Sequence, residues 1–335
     1  MSTELVKRPA DDAAVEAFFG SRPSYLFQEP VWQKVLEPLG YELSYYCLED
    51  DGHIVLAQPA ARMRLGFFRM LYCGLPYGMA AGDTSRLGEL AERLPAVARR
   101  EGIHRIRMSH CCYDPQVALP PPYTMQEHVQ QVLHIAGRSE EQLWEDFKGR
   151  VRRDVRLAER RGVVVEETRD AAARDALFAM YSATMVRNDS FNVWSRPMIE
   201  RMWEHLCEPG RGEMLVARHE GEALAGIATF YSGKRCFYFL GASSGVKRAL
   251  CPNDAVIWEG IRRAVARGCE DFDFMISSRD DQPLIDFKAK WSTESHPFRF
   301  YERDVAPLTC KVWQLAFRAA RTRLGTRLLR LMKRA

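Results

Sequence analysis

The chain has 335 residues, of which 47% are apolar, and its formal net charge is +4. At about 100–200 residues per domain, this length predicts two domains with ordinary hydrophobic cores. No apolar run reaches the roughly 18 residues that a membrane-spanning helix needs. The N-terminal segment also lacks the apolar core of a signal peptide. These features exclude an integral membrane protein and predict a cytoplasmic one.

The cysteines and histidines predict neither disulfides nor a bound metal. The nine cysteines are an odd number and form no CxxC pair, and the adjacent Cys111 and Cys112 cannot easily bridge. We expect reduced thiols that act as small apolar side chains. The eight histidines show no HxH or HExxH grouping, so we expect no metal site.

The first half of the chain predicts a meander followed by a helix and a strand. Residues 41–58 read as strand, turn and strand, with the turn at Gly52, and residues 64–73 as a third strand. Residues 87–100 place apolar side chains on one helical face. Gly102 follows the helix and residues 103–108 form the next strand.

A basic helix is predicted between the two halves, over residues 139–162. Ser139 to Gln142 form a capping box at its start, and Gly162 ends it. Seven Lys and Arg residues face only two acids from Lys148 onward. A solvated helix face and a phosphate or nucleic-acid contact both remain open, because arginine grips phosphate oxygens bidentately.

The second half repeats the first pattern. Residues 212–243 predict three strands, the helix after Pro252 ends at Gly268, and residues 271–276 form another strand. The hairpin glycines Gly52 and Gly221 are 169 residues apart, and the helix-ending Gly102 and Gly268 are 166 apart. The near-constant offset predicts two similar units in tandem. We expect domains at 1–138 and 163–305, bridged by 139–162.

The C-terminal segment, 306–335, is predicted to be a basic amphipathic helix. Eight basic residues and no acid occur from Lys311 onward. An apolar stripe follows helical spacing. It predicts either an anchor for an anionic membrane surface or a helix packed on the second domain with its arginines in water.

Several segments occur in a characteristic order. They are Phe27-Gln28 with Trp32 and Lys34, the turn Leu75 to Gly78, the basic stretch 143–166 with Arg152-Arg153, and the stretch 252–274 with the later Phe287-Lys288. This order resembles the Fem-type aminoacyltransferases and related GNAT-like acyltransferases of cell-envelope biosynthesis. The resemblance spans residues 25–300. It implies an α/β (α+β) fold of two tandem GNAT-like domains with mixed, largely antiparallel sheets.

The resemblance also implies the reaction. Fem-type enzymes move an amino acid from aminoacyl-tRNA to an amine of a peptidoglycan precursor, and relatives in polysaccharide gene clusters are assigned as acetyltransferases. We expect transfer of an acyl or aminoacyl group to an amine of a phosphate-bearing cell-envelope precursor. No tightly bound cofactor is expected, and the donor is aminoacyl-tRNA or acyl-CoA.

The loop before the helix at Pro252 is where such a fold places its donor. Lys247, Arg248 and Asn253 are the predicted donor-binding residues. The loop has one glycine, whereas an acetyl-CoA site uses a glycine-rich loop whose backbone N–H groups converge on the pyrophosphate. The long coiled-coil insertion of some Fem-type enzymes is missing too, which leaves both donors open.

Lys288 and Asp273 are the predicted catalytic residues. The lysine matches the family's FK element and is expected to stabilise the oxyanion that forms when the amine attacks the carbonyl. Asp273 lies on an otherwise apolar strand and is expected to orient or deprotonate the amine. No Ser-His-Asp or Cys-His pattern is present, so we expect direct attack.

Six further residues are predicted to bind the substrate. They are Lys34, Tyr77, Arg152, Arg153, Arg187 and Tyr238. Two other classes remain possible: a coenzyme-A-dependent N-acetyltransferase of a sugar or small amine, and a non-catalytic nucleic-acid-binding protein. The second is weaker because the charge outside the tail is net negative. Transfer RNA and the inner face of the cell membrane are further predicted partners.

Overall fold

The computed structural model describes residues 3–117, 119–168, 170–188 and 194–320. Of residues 318–320 it describes only the backbone. The chain folds into two compact units. Unit 1 contains residues 3–22, 41–126 and 299–320, and unit 2 contains residues 23–40 and 127–298. All nine cysteines are free thiols in the structure.

Unit 1 is a sheet covered by helices. Its core forms where the apolar face of helix α3 (Leu87–Arg100) packs on the strands, through Leu90, Leu94 and Ala98. Its elements are β1 (Thr3–Pro9), α1 (Ala13–Gly20), β2 (Glu42–Asp50), β3 (His53–Leu65), β4 (Phe68–Cys73), β5 (Ala81–Gly82), α3 (Leu87–Arg100), β6 (Arg105–His110) and α10 (Pro307–Ala320), with parts of β7 (Thr124–His134) and β13 (Glu294–Asp304).

Unit 2 has the same construction. Its core lies between the sheet and the helices α5 (Gly149–Arg160) and α8 (Pro252–Ala266), through Val151, Val155, Ile257 and Ile261. Besides the other parts of β7 and β13, its elements are α2 (Pro30–Leu36), α4 (Glu140–Asp146), α5 (Gly149–Arg160), β8 (Val164–Glu167), α6 (Ala171–Arg187), α7 (Arg196–Met202), β9 (Gly212–His219), β10 (Glu222–Ser232), β11 (Arg235–Ser243), α8 (Pro252–Ala266), β12 (Asp271–Ser277) and α9 (Gln282–Ala289).

The two units share one pattern of strand pairing. In unit 1 the order is β1-β2-β3-β4-β6-β13, and in unit 2 it is β8-β9-β10-β11-β12-β7. In both, three antiparallel pairs are followed by one parallel pair and one further antiparallel pair. A helix, α3 or α8, makes each parallel crossover, as parallel strands require. The predicted fold class is confirmed.

The repeated glycines occupy equivalent positions. Gly52 and Gly221 have φ of +83° and +79° in the hairpins β2–β3 and β9–β10. Gly102 and Gly268 have φ of +67° and +71° directly after α3 and α8. Glycine suits these turns because it adopts positive φ without a Cβ clash.

Three segments belong to a different unit from the one that the predicted boundaries give them. Residues 23–40 belong to unit 2, where Phe27 and Trp32 pack against Phe230, Phe237 and Phe239. Residues 129–134 of β7 pair with β12 in unit 2, and residues 299–304 of β13 pair with β6 in unit 1. The local sequence pattern cannot show which unit a strand joins, because its partners are set by tertiary pairing.

The predicted helix at 139–162 is two helices within unit 2 and not a bridge. The capping box at Ser139 and the end at Gly162 are as predicted. The helix breaks at Phe147, whose ψ of 146° is extended. This turn buries the Phe147 ring against Trp258 and Trp291, at 5.5 Å and 5.2 Å between centroids. Burial of a large aromatic side chain outweighs the local helical preference.

The helix α10 is the described part of the predicted C-terminal helix. Trp313 anchors it by stacking on Phe68 at 5.1 Å. The basic residues from Arg321 onward lie outside the described residues. Within the described part of the chain, no helix has the length and apolar character that crossing a membrane requires.

Candidate active site

A groove lined by arginines runs along α5. It has a volume of about 420 Å³ and is lined by Gly149, Arg152, Arg153, Arg156 and Arg160. We call it the arginine groove. Arg152, Arg156 and Arg160 are spaced by four residues, and side chains four apart lie on one helical face. The opposite face of α5 holds Val151, Val155 and Ala158 in the core of unit 2. The amphipathic pattern of α5 therefore points its arginines outward as a row.

The charge of this row is poorly compensated. Arg153 bonds Asp154 at 2.9 Å, and Arg156 lies over the ring of Trp144 at 5.4 Å. Among the residues that the structure describes, no carboxylate pairs with Arg152, Arg156 or Arg160. A row of guanidinium groups without acidic partners attracts anions, and phosphate oxygens above all.

A second cavity lies at the N-terminus of α8. It has a volume of about 190 Å³, and we call it the α8 pocket. Three basic side chains face two acidic ones in it. Its lining is Arg150, Asp154, Leu224, Ser243, Gly245, Val246, Arg248, Cys251, Pro252, Asn253, Asp254 and Lys290. Because Arg150 and Asp154 belong to α5, this helix lines both the α8 pocket and the arginine groove.

Asp254 and Lys290 form a close ion pair in the α8 pocket, at 2.5 Å. Asp254 is buried, and burial raises the pKa of its carboxyl group, although Lys290 favours the charged form. Lys290 also lies over the Phe287 ring at 4.4 Å. A buried carboxylate with a raised pKa beside a cavity is typical of functional sites. Neither residue was among the predicted site residues.

Arg187 and Arg248 meet at the rim of the α8 pocket. A Cβ at Gly245 would lie 2.8 Å from Arg187 Nη1 and 3.6 Å from Arg248 Nη2. Arg187 donates to Ser243 Oγ at 2.9 Å and to the Ser243 carbonyl at 3.2 Å. The structure thus brings together a predicted substrate residue, Arg187, and two predicted donor residues, Arg248 and Asn253.

Lys247 takes a different position. Its ammonium pairs with Glu222 at 3.0 Å and Glu220 at 3.5 Å, and it does not line the α8 pocket. Lys247 has φ of +47°, and this left-handed turn carries its side chain to the β9–β10 hairpin. Its predicted contact with the donor would require these two ion pairs to open.

The predicted catalytic residues lie where β11 and β12 stop pairing. These parallel strands pair only from Arg235 with Asp271 to Phe237 with Asp273. Asp273 is therefore the last paired residue of β12, and Tyr238 follows the last paired residue of β11. The Tyr238 ring contacts Phe274, at 5.5 Å between centroids. In open α/β sheets, ligands bind in the crevice at the carboxyl ends of such strands.

Asp273 fixes the irregular backbone at this point. Its carboxylate is fully buried and accepts from the Met275 N–H at 2.7 Å and from Gln130 Nε2 at 2.9 Å. Met275 has φ of +61°, and the pairing with β7 shifts register here. Such strain persists where surrounding contacts hold it and is common at functional sites.

Lys288 approaches the same point from α9. Its ammonium is buried and donates to the carbonyls of Ile276 at 3.0 Å and Met275 at 3.2 Å. Burial lowers its pKa to about 7, although Asp273 and Asp281 favour the charged form. An ammonium has three N–H donors. Within the described residues the third has no hydrogen-bond partner. Lys288 lines neither cavity, so its catalytic role stays a prediction.

The lowered pKa of Lys288 predicts a pH-dependent stability. The unfolded chain holds this proton up to its ordinary pKa of 10.5, whereas the folded protein releases it near pH 7. The unfolded state thus binds more protons between these values, so this group makes the free energy of unfolding rise with pH. From pH 7 to 9 we expect a rise of about 2 kcal/mol that Lys288→Met abolishes.

Denaturant titrations of both proteins at several pH values measure this effect. Lys148→Met, which changes an exposed lysine, is the matched control and should keep the wild-type slope. Equal slopes in the wild type and Lys288→Met would show that Lys288 is not a depressed buried amine.

Two other predicted residues are not part of these cavities. Tyr77 is fully buried in unit 1, so its contact with a substrate stays a prediction. Its turn begins at Gly74, where a Cβ would overlap the Gly78 carbonyl oxygen. Lys34 lies on α2 and lines neither the arginine groove nor the α8 pocket.

The family comparison agrees with this geometry. Residues 145–289 match the model of the acetyltransferase (GNAT) domain. The match covers α5, both predicted catalytic residues and every residue that lines the α8 pocket except Lys290. Residues 145–289 thus form a GNAT-type acyltransferase domain. Among curated proteins, none matches its sequence.

Solved structures with the same fold cover nearly the whole chain. A crystal structure of FemX is similar with a TM-score of 0.68 and 16% identity, covering 93% of this chain and 99% of that one. A tandem GNAT protein from the clavulanic acid biosynthesis pathway has a TM-score of 0.58 and 12% identity, covering 91% and 99%. The C-terminal domain of a putative lysylphosphatidylglycerol synthetase from Agrobacterium fabrum has a TM-score of 0.58 and 11% sequence identity. This similarity covers 91% of this chain and 97% of that one. The tandem GNAT fold thus extends over both units.

Proposed function

We propose that this acyltransferase moves an acyl or aminoacyl group to an amine of a phosphate-bearing cell-envelope precursor. The observation that carries the proposal is the arginine groove, which lies on the same helix as Arg150 and Asp154 of the α8 pocket. An acceptor bound by its phosphates in the groove would be held beside that pocket.

The groove suits a ligand with several phosphate oxygens. At 1.5 Å rise per residue, side chains four apart lie about 6 Å apart along α5. Three guanidinium groups in such a row can each donate two hydrogen bonds to a phosphate. Since Arg152, Arg156 and Arg160 have no carboxylate partner in the described structure, no ion pair must break when the ligand binds.

The similar proteins support this class of acceptor. One is named as a lysylphosphatidylglycerol synthetase, and that product joins an aminoacyl group to a phosphate-bearing lipid. The resemblance to Fem-type enzymes implies a peptidoglycan precursor. Both are envelope molecules that carry phosphate.

The transfer step can be assigned to the residues where β11 and β12 separate. The acceptor amine forms a C–N bond with the donor carbonyl, and the bond from that carbon to the donor's sulfur or oxygen breaks. Asp273 orients the amine or takes its proton. The proton lost by the nitrogen ends on the leaving sulfur or oxygen, so the donor is released as a thiol or alcohol. The third N–H of Lys288 would donate to the oxyanion, in a buried setting where such a bond is strong.

The donor is proposed to lie at the α8 pocket, held by Arg248 and Asn253. The match to an acetyltransferase domain favours an acyl thioester of coenzyme A. It also makes coenzyme-A-dependent acetylation of a sugar or small amine the second candidate function. An aminoacyl ester remains the other donor to test.

Mass spectrometry of reaction mixtures tests the proposal. Purified protein is incubated with a nucleotide-linked muramyl peptide and, in parallel, with acetyl-CoA or a charged tRNA. We expect a product heavier by one acyl or aminoacyl group at an amine of the precursor. If the protein acetylates a free amino sugar without phosphate and does not modify the precursor, the result would favour coenzyme-A-dependent acetylation of a sugar or small amine.

We also propose that α10 attaches the protein to anionic membrane surfaces. Leu308, Val312 and Leu315 are 79%, 56% and 67% exposed and lie on one face of the helix. An exposed apolar face on a cationic helix is typical of interfacial binding.

Vesicle co-sedimentation measures this attachment. Leu308→Glu with Leu315→Glu should lower binding to phosphatidylglycerol vesicles at least tenfold, because charge replaces the inserting surface. Val186→Glu, which changes an 82% exposed valine on α6, is the control. Unchanged binding by the α10 variant, or no binding by the wild type, would contradict the attachment.

A further inference from the structure

We propose that His134, Glu294 and His296 form a binding site for a divalent transition-metal ion such as Zn²⁺. One ligand atom from each residue lies within 4.8 Å of the others. All three residues belong to unit 2. His134 ends β7, and Glu294 and His296 lie near the start of β13, so the site is built on strands.

The spacing of the donor atoms is close to that of a metal site. Zinc ligands at 2.0–2.2 Å in a tetrahedron are separated by about 3.4 Å. The observed spacing therefore requires a contraction of about 1.4 Å at most. The side chains of His134 and Glu294 are 48% and 68% exposed and can make this adjustment by rotation.

Asp271 gives the site the outer partner that metal-binding histidines usually have. Its carboxylate lies 2.6 Å from His134 Nδ1 and so accepts the Nδ1–H. This fixes the tautomer in which His134 Nε2 carries the free lone pair. The same Nε2 lies 3.6 Å from the Glu294 carboxylate. A carboxylate–histidine–metal relay of this kind orients the ring and raises its basicity.

His296 contributes a second, independent observation. Its Nε2 is buried and has no hydrogen-bond partner in the described structure. Buried polar atoms without partners are rare in native proteins and call for an explanation. Its ring lies edge-on to His134 at 5.9 Å between centroids. A metal ion bound between the two imidazoles would satisfy this nitrogen.

The ligand set selects the class of metal. Two imidazole nitrogens and one carboxylate suit zinc and similar first-row ions, whereas magnesium and calcium prefer oxygen ligands. The Asp271 carboxylate also lies 3.8 Å from Arg235 Nε. This carboxylate therefore stands between the positive charge of Arg235 and the bound ion. The ion would join β7 to β13, with β12 supplying the outer carboxylate.

Calorimetric titration of the chelator-treated, tag-free full chain with zinc chloride tests the site. We expect one ion per chain and a rise in the thermal midpoint with added zinc. His134→Ala and His296→Ala should each weaken binding at least tenfold. Asp271→Asn should weaken it by about 10–100-fold, as the loss of outer-shell partners does. His53→Ala, at an exposed histidine of β3, is the control and should bind like the wild type.

Cobalt spectroscopy separates this site from the free thiols. Cobalt bound here should show d–d absorption without a thiolate charge-transfer band. His134→Gln, which keeps the size and polarity of the side chain, should lose that absorption while circular dichroism shows it folded. No zinc binding by the wild type, zinc binding by His134→Ala and His296→Ala as tight as that of the wild type, or a thiolate band would overturn the proposal.

Discussion

Replacing Lys288 by alanine should lower kcat about 100–1,000-fold and leave KM for both substrates nearly unchanged. The reason is that the predicted oxyanion contact exists only in the transition state, and loss of one such donor costs about this much. Since the pKa of Lys288 is lowered to about 7, its charged form is lost above that pH. The alkaline decline of kcat/KM near pH 7 should therefore disappear in the variant.

Steady-state kinetics and pH–rate profiles provide this measurement. Lys148→Ala, at an exposed lysine of unit 2, is the control and should keep both kcat and the profile. Circular dichroism must show Lys288→Ala folded, because its ammonium also holds two carbonyls of β12. A folded variant with full activity would remove Lys288 from the mechanism.

Replacing Arg152 or Arg156 by alanine should raise KM for the phosphate-bearing acceptor by about tenfold to a hundredfold. Each replacement removes charge-assisted hydrogen bonds worth about 1.5–3 kcal/mol. The effect on kcat should be small, because binding to phosphate is the same in the ground state and the transition state. The wild-type KM should also rise with salt, since exposed charges are screened.

Arg100→Ala is the control for this loss of charge. It removes one exposed arginine from α3 of unit 1 and should leave KM unchanged. If Arg152→Ala and Arg156→Ala behave like Arg100→Ala, then the groove is a solvated helix face and not a binding site.

The sequence predicts local structure well in this chain. Hairpin glycines, apolar helix faces and the capping box at Ser139 depend on neighbours close in sequence, and the structure has them all. The repeat followed from glycines that need positive φ at equivalent turns. The break at Phe147 could not be predicted, because it results from contacts with Trp258 and Trp291 more than 100 residues away.

The same limit applies to the candidate site. The basic stretch with Arg152 and Arg153 could be read from the sequence, and the resemblance of Phe287-Lys288 to the FK element pointed to Lys288. The α8 pocket joins Arg150 and Asp154 with Asp254 and Lys290, which no local pattern relates. His134 lies 160 residues before Glu294, so the histidine cluster also required tertiary structure. The i, i+2 spacing of Glu294 and His296 on one strand face was the only local signal for it.

The most direct test of the central claim compares two acceptors that differ only in their phosphates. For the wild type, we expect kcat/KM for the phosphate-bearing precursor to exceed that of its dephosphorylated form by at least tenfold. In the double variant Arg152→Ala with Arg156→Ala this ratio should approach one. A wild-type ratio near one, or a ratio that the double variant retains, would contradict recognition of a phosphate-bearing acceptor by the arginine groove.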